Sequence, residues 1–336
     1  MRKILKIKEP ISNSYHFMAF PLSILEQHAI TYEWIYSNFI QTCLDTNYDD
    51  SPVPFYFYIY DYTLSPFLEV QKIDRNFMNF NRLDIIELVK NAIDNEYYIY
   101  LNLDDFYVPD RRSFKNKHFS HDSLVYGYDT KKEEIYLYGF DSKMKLNTTV
   151  ISFSNFILAY DGMDIIDTDL TYINLYKFNK LGKYKLDLNL ILEQLIEYSE
   201  SKNSSVRFST LREPWIRSYG MNFYENISCY LQNFDDKNIR ADIRIFHFMY
   251  EHKNIMANRI KFLLNKSMIK DTSLLISWEK ITKDALIIRN NVIKMNLSNK
   301  KVRYADLSVY FELLKKDEEN ALKKTIQHLK ECLTES

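Results

Sequence analysis

Two histidines three residues apart, His118 and His121, follow a run dense in carboxylates and ring hydroxyls, Leu101-Asn102-Leu103-Asp104-Asp105-Phe106-Tyr107-Val108-Pro109-Asp110. An imidazole takes up and releases protons near neutral pH, and a neighbouring carboxylate fixes which ring nitrogen carries the hydrogen. His121 stands where a loop enters a strand-like segment, Ser123 to Tyr128. Asp141 follows the next such segment, Glu134 to Phe140, and Asp129-Thr130-Lys131-Lys132 joins the two as a hairpin. Antiparallel neighbours place the start of one strand beside the end of the other. His121 and Asp141 are therefore expected to meet as base and orienter. The plainer alternative is that His121 only hydrogen-bonds loop backbone.

Other chemistries find less support. His247 and His252 lie five apart on a helical pattern and diverge, and no third partner joins His118 and His121, so no metal site is expected. With only 5 glycines there is no G-x-G-x-x-G and no G-x-x-x-x-G-K-[ST], so the usual phosphate cradles are missing and no cofactor is expected. Cys43, Cys229 and Cys332 are far apart, which argues against a disulfide framework and fits a reducing, cytoplasmic setting. The net charge of −1 gives no reason to expect nucleic acid or an anionic membrane as partner. No stretch reaches the roughly 20 apolar residues of a membrane span, and the basic start, Met1 to Lys8, lacks the apolar run of a signal peptide. Aromatics, 15% of the chain, are read mainly as core.

The elements that must position these residues follow from periodicity. Two short helices are expected over 21–45, the first with Pro21 in its opening turn, the second capped by Thr31 and carrying Ile35, Phe39, Ile40 and Cys43 on one face. Asn47 to Pro52 reads as a turn and Phe55 to Tyr60 as a strand. Asn81 begins a helix with Asp84 in its first turn and an apolar stripe of Ile85, Ile86, Val89 and Ile93. Tyr97–Leu103, Val150–Phe153 and Tyr172–Phe178 complete the strands, with a short helix at 155–160. From Leu186 the period becomes helical, with further long helices at about 215–234, 239–264, 273–296 and 306–332. Glu251, Arg259 and Arg289 on these helices read as polar ties between them. The reading is an α+β domain over 1–180 and a helical domain over 186–336.

The run Leu103-Asp104-x-Phe106-Tyr107-x-Pro109, followed by His121, Tyr126-Gly127-Tyr128-Asp129 and Tyr138-Gly139-Phe140, resembles the N-terminal domain of the butirosin biosynthesis protein H family. The likeness spans roughly 10–150, and Glu251-His252-Lys253 through Arg259-Ile260 is similar to the regions that accompany such domains. It implies a papain-like, leader-peptidase-like antiparallel sheet with N-terminal helices. It also implies acyl transfer from a carrier-protein thioester to an amine in natural-product assembly, of nonribosomal peptide or aminoglycoside type. His121 becomes the general base, Asp141 its orienter, and Tyr15, His16, Asp104, Tyr107 and Tyr126 substrate-facing side chains. The family's nucleophilic cysteine belongs at the start of the first helix, where dipole and backbone N–H groups favour a thiolate. This chain reads Ser12-Asn13-Ser14-Tyr15-His16 there, with no cysteine. Ser14 is the hydroxyl available in its place. Two readings follow: an acyltransferase acting on a carrier-bound thioester and an amine, or a degenerate domain that binds a carrier, peptide or small product without turnover.

Overall fold

The computed structural model describes residues 1–46, 51–59, 61–165, 172–237, 240–298 and 303–334. Two compact units share the chain: Met1–Thr31 with Tyr62–Lys183, and Tyr32–Asp61 with Tyr184–Ser336. Residues 32–61, placed in the first domain by the sequence pattern, thus cluster with the helical unit. Most of the expected turn at 47–52 lies outside the described residues.

The first unit opens with β1 (Arg2–Ile4) and α1 (His16–Leu25); the second then takes α2 (Tyr32–Asn38), β2 (Thr42–Leu44) and β3 (Phe55–Phe57). The chain returns to the first unit for β4 (Leu68–Asp74), α3 (Arg75–Phe80), α4 (Ile85–Asp94), β5 (Tyr98–Asp104) and β6 (Ser120–Asp129). It continues there with β7 (Glu134–Phe140), β8 (Leu146–Ser152), α5 (Phe153–Asp161) and β9 (Tyr172–Phe178). Back in the second unit come α6 (Leu188–Ser199), β10 (Ser218–Tyr219), α7 (Phe223–Lys237), α8 (Ile243–Asn265), α9 (Ser273–Leu297) and α10 (Ser308–Thr334).

The first unit is an antiparallel sheet in the order β4-β9-β5-β6-β7-β8, with β1 added against the end of β6. Alternation in β5 decides its faces. Ile99, Leu101 and Leu103 enter a core with Val125, Leu137, Ile173 and the buried stripe of α4, Ile85, Ile86, Val89 and Ile93. Burying each such side chain contributes roughly 1.5–3 kcal/mol. Tyr100 points the other way and meets Phe20 of α1 edge-on at 5.1 Å. Helices therefore cover both faces, and the α+β class expected from the sequence is the class observed. Asp84 starts α4 by accepting the Glu87 N–H at 2.8 Å, and Ser152 starts α5 by accepting from Asn155 at 3.2 Å.

Two expected elements differ near the start. The first helix begins at His16, five residues before Pro21, which lies inside it. Proline there removes one backbone hydrogen bond, yet nine of the ten helix residues are buried and packing offsets the loss. The second helix ends at Asn38, and Cys43 lies in strand β2, paired across to Tyr56.

The second unit packs α6–α10 and α2 with the three-stranded sheet β10-β2-β3. The helix expected from Trp215 starts only at Phe223 because residues 218–219 pair with β2. Gly220 makes that switch: its φ is +53°, and a Cβ there would stand 2.1 Å from the Tyr198 carbonyl oxygen. Arg259 of α8 donates to the Tyr36 carbonyl at 2.7 Å and the Phe39 carbonyl at 2.5 Å, capping buried carbonyls at and just past the C-terminal end of α2. That is the polar tie the sequence suggested, whereas among the described residues the hydrogen bond found for Arg289 goes to its exposed neighbour Asn290. Among the described residues no helix is long and apolar enough to cross a membrane.

Candidate active site: paired histidine and aspartate side chains

His121 is the second residue of β6, directly opposite Leu103 of β5. Asp105, two residues beyond Leu103 and just past the end of β5, extends its carboxylate to His121: Nδ1 to Oδ2 is 3.1 Å. With the carboxylate ionised, Nδ1 carries the hydrogen and donates it, and Nε2 presents a lone pair. Nε2 has no hydrogen-bond partner among the described residues, and the side chain is 27% exposed. One nitrogen is fixed by a buried carboxylate and the other faces outward, the arrangement a general base requires.

Asp141 is not that carboxylate. Pairing between β6 and β7 runs only to Leu124 opposite Tyr138, while β7 continues against β8 to Phe140 opposite Leu146. Asp141 therefore falls in the β7–β8 turn, where its Oδ1 accepts the backbone N–H of Lys143 at 2.8 Å and of Lys145 at 3.0 Å. Although what burial it has acts to raise its pKa, these hydrogen bonds prevail and hold Asp141 below the ordinary carboxylate range. The orienting group comes from the strand on the other side of β6.

A guanidinium sits behind Asp105. Arg111 is fully buried at its side chain, its Nε 4.0 Å from Asp105 Oδ1, and it donates to the Phe140 carbonyl. Burial lowers the Arg111 pKa, and the charges of Asp105, Asp141 and Asp110 oppose that shift. Gly139 makes the space: a Cβ there would lie 2.5 Å from Nη2 of Arg111. The Tyr138-Gly139-Phe140 motif thus has a steric reason for its glycine.

His16 brings a second imidazole to the same place. As the first residue of α1, its ring lies edge-on to that of His121 with centroids 4.9 Å apart, and also contacts Phe20 and Phe140. Both its nitrogens are engaged: Nδ1 is 3.4 Å from Asp122 Oδ2, and Nε2 accepts the Phe140 backbone N–H at 3.2 Å. That pattern describes a neutral ring with its hydrogen on Nδ1. Burial is the chief reason its pKa is lowered, with the charges of His121 and Arg111 adding to it against the pull of Asp122. The positive end of α1 acts in the same direction. Asp122 is held below the ordinary carboxylate range: burial would raise it, but bonds from His16 and from the Tyr100 hydroxyl at 2.8 Å prevail.

The sign of these shifts fixes a pH dependence. A histidine whose folded pKa is depressed contributes stability that is present above its unfolded value, about 6.5, and is lost as pH falls from there through the folded value. The first unit is therefore expected to lose stability as pH falls below about 6.5. In His16→Gln the loss over that window should be smaller, read as hydrogen-exchange protection of β5 and β6. An unchanged slope would remove His16 as its source.

The remaining predicted residues are distributed more widely. Asp104, fully buried, turns away from His121 and holds His118 at 2.5 Å (Nδ1 to Oδ2). Its Oδ1 accepts from the Phe106 and Phe119 backbone at 3.1 and 3.0 Å, clamping both ends of the loop that carries Asp105 and Arg111. Tyr107 lies beside His118, centroids 6.0 Å apart, and Tyr126 faces Tyr136 at 6.2 Å; neither belongs to the His121 group. Tyr15 stacks on Phe17, and Ser14 and Tyr15 are buried just ahead of α1. Asp105, Asp122 and Arg111 were missed by sequence reasoning. Asp105 lies just past the end of β5, where strand alternation no longer fixes the side a residue takes.

The three cysteines all belong to the second unit. Cys43 is buried, and burial pushes its thiol up to about 12, so it is a packing residue. No group of three or more histidine, cysteine, aspartate or glutamate side chains placed to hold a metal ion is found among the described residues. A scan against protein-family models and a search of curated proteins find no match to this chain.

Proposed function

We propose that the chain is an acyltransferase of natural-product assembly, moving an acyl group from a carrier-protein thioester to a small-molecule amine with His121 as general base. The observation that carries this reading is the outward Nε2 of an imidazole whose Nδ1 is fixed by buried Asp105. The donor class and the papain-like assignment rest on the resemblance to the butirosin biosynthesis protein H domain. A cytoplasmic setting rests on the widely spaced cysteines.

No thiol stands in the first unit, and none is needed, because a thioester is already activated. The amine nitrogen attacks the carbonyl carbon, the C–N bond forms, and the ammonium proton passes to Nε2 of His121. The C–S bond then breaks, and the departing thiolate receives that proton from the imidazolium. Positioning supplies the rest of the acceleration. His16 stands at the helix start where the family keeps its cysteine; with both nitrogens engaged it acts as a positioning residue.

The test measures amide formation from an acyl-loaded carrier protein and a panel of primary amines. His121→Ala is expected to lower the rate about 10²–10⁴-fold, and added imidazole to restore part of it. Equal turnover by both proteins removes His121 from the mechanism. The engaged nitrogens of His16 favour a second reading, a domain that binds carrier or product without converting it. Saturable carrier binding with no amide formed by the wild type decides for that reading.

A further inference from the structure

The sheet of the first unit ends in an open edge. β8 is bonded to β7 on one side, and among the described residues no strand pairs with its other side. The ladder fixes which backbone groups that open side presents. The Lys145 carbonyl accepts from Asp141 at 2.8 Å, and Phe153 donates to the Glu133 carbonyl at 2.7 Å, so the odd-numbered residues are the ones bonded to β7. The N–H and C=O groups of Leu146, Thr148, Val150 and Ser152 therefore point away from the sheet. The Thr148 N–H is met there by its neighbour's side chain, Asn147 Oδ1 at 2.8 Å, a local cap that an incoming carbonyl can replace. The side chains on the solvent face are accessible, Val150 being 44% exposed.

Open edges are ordinarily guarded by charges, proline or a bulge. The opposite edge strand, β4, carries Glu69, Lys72 and Asp74. β8 reads Leu-Asn-Thr-Thr-Val-Ile-Ser, with neither charge nor proline, and pairs with β7 without a register shift. An uncharged edge can meet a copy of itself with no like charges opposed. A two-fold axis through Thr149 does so in a register that satisfies the outward groups. Thr148 then lies opposite Val150 of the second copy, and Val150 opposite its Thr148, each pair exchanging two backbone hydrogen bonds. Thr149 meets its own counterpart as a close, non-hydrogen-bonded pair, and all three cross-strand pairs are β-branched, the kind that stabilises a sheet.

We propose that β8 pairs antiparallel with β8 of a second copy of this chain, joining two first-unit sheets into one across a two-fold axis. A seven-residue edge is small beside the roughly 1,200–2,000 Å² of a stable interface, so the dimer is weak and depends on concentration. The pairing uses no residue of the His121 group and stands independently of the acyl-transfer reading.

Sedimentation velocity of the full chain, from about 1 to about 200 µM, tests this. A reversible monomer–dimer equilibrium is expected. Thr148→Lys with Val150→Lys sets lysine opposite lysine at both pairs and weakens the dimer about tenfold or more. Thr148→Glu with Val150→Glu does the same. An equimolar mixture of the two variants restores a dimer at least as tight as wild type, which also shows that both are folded. The proposal is overturned by a wild type that stays monomeric at about 200 µM, which leaves the edge to a strand from another protein. Lysine variants that dimerise as wild type does, or variants with unchanged circular dichroism whose mixture stays monomeric, overturn it as well.

Discussion

Asp105→Asn is expected to lower amide formation about 10²–10⁴-fold, nearly as far as loss of His121 itself, while Asp141→Asn stays within about twofold of wild type. The contrast follows from where the two carboxylates sit. Asp105 is buried with Oδ2 3.1 Å from His121 Nδ1, whereas Asp141 is bound to its own turn. An asparagine at 105 presents either a weaker, uncharged acceptor or an N–H donor. In the second case Nδ1 must accept, the hydrogen moves to Nε2, and the lone pair that takes the substrate proton is gone. The same change removes the first of the charges that offset the burial of Arg111, leaving only Asp141 and Asp110, so some loss of stability accompanies it. Two readouts separate the effects. Hydrogen exchange reports whether β5 and β6 remain protected, and kcat against KM reports whether a protected variant is slow or merely binds poorly. A folded Asp105→Asn protein with wild-type kcat would end the role given to the pair, and a large loss in Asp141→Asn would return it to the residue first expected.

That first expectation shows where sequence legibility stops. Strong patterns survived: β7 spans Glu134–Phe140 and β9 Tyr172–Phe178, just as alternation indicated, and the stripe of α4 lies in the core. These depend on residues within one element. His121 was legible because a loop-to-strand junction is a local feature. Its partner was not, because two strands flank β6 and the sequence does not say which supplies the carboxylate. The decision lay in register: the β6–β7 ladder stops at Leu124 and Tyr138, three residues short of His121. Short strands that make sense only across the chain were equally hidden. Cys43 looked helical beside Phe39 and Ile40, yet β2 exists because Ser218 and Tyr219, some 175 residues later, pair with its edge. The discontinuous second unit follows from the same long-range contacts.

The largest expected loss of stability lies in that second unit, at Lys253. Its ammonium group is buried between helices, 2.7 Å from Glu318 Oε1 and 2.9 Å from the Tyr198 hydroxyl, which itself donates to Glu318 at 3.0 Å. Tyr224 donates to the other carboxylate oxygen at 2.5 Å. His252 completes the group as a neutral ring, Nε2 donating to the Ile40 carbonyl at 2.9 Å and Nδ1 3.3 Å from the ammonium. Burial, then repulsion from Lys253, keeps its pKa well below the ordinary value. Removing one partner of such a pair costs about 3–5 kcal/mol, because the other charge stays buried. Against a total stability of roughly 5–15 kcal/mol, Lys253→Met should lower the urea midpoint steeply. All three tryptophans, Trp34, Trp215 and Trp278, belong to this unit, so their fluorescence follows its unfolding. Adding Glu318→Leu to Lys253→Met is expected to recover part of the loss, since no unpaired charge remains, but not all of it, because the Tyr198 and Tyr224 hydroxyls then lose their acceptor. A single variant as stable as wild type would mean that water reaches the pair, and a double variant less stable than the single would mean that Glu318 stabilises the unit without Lys253.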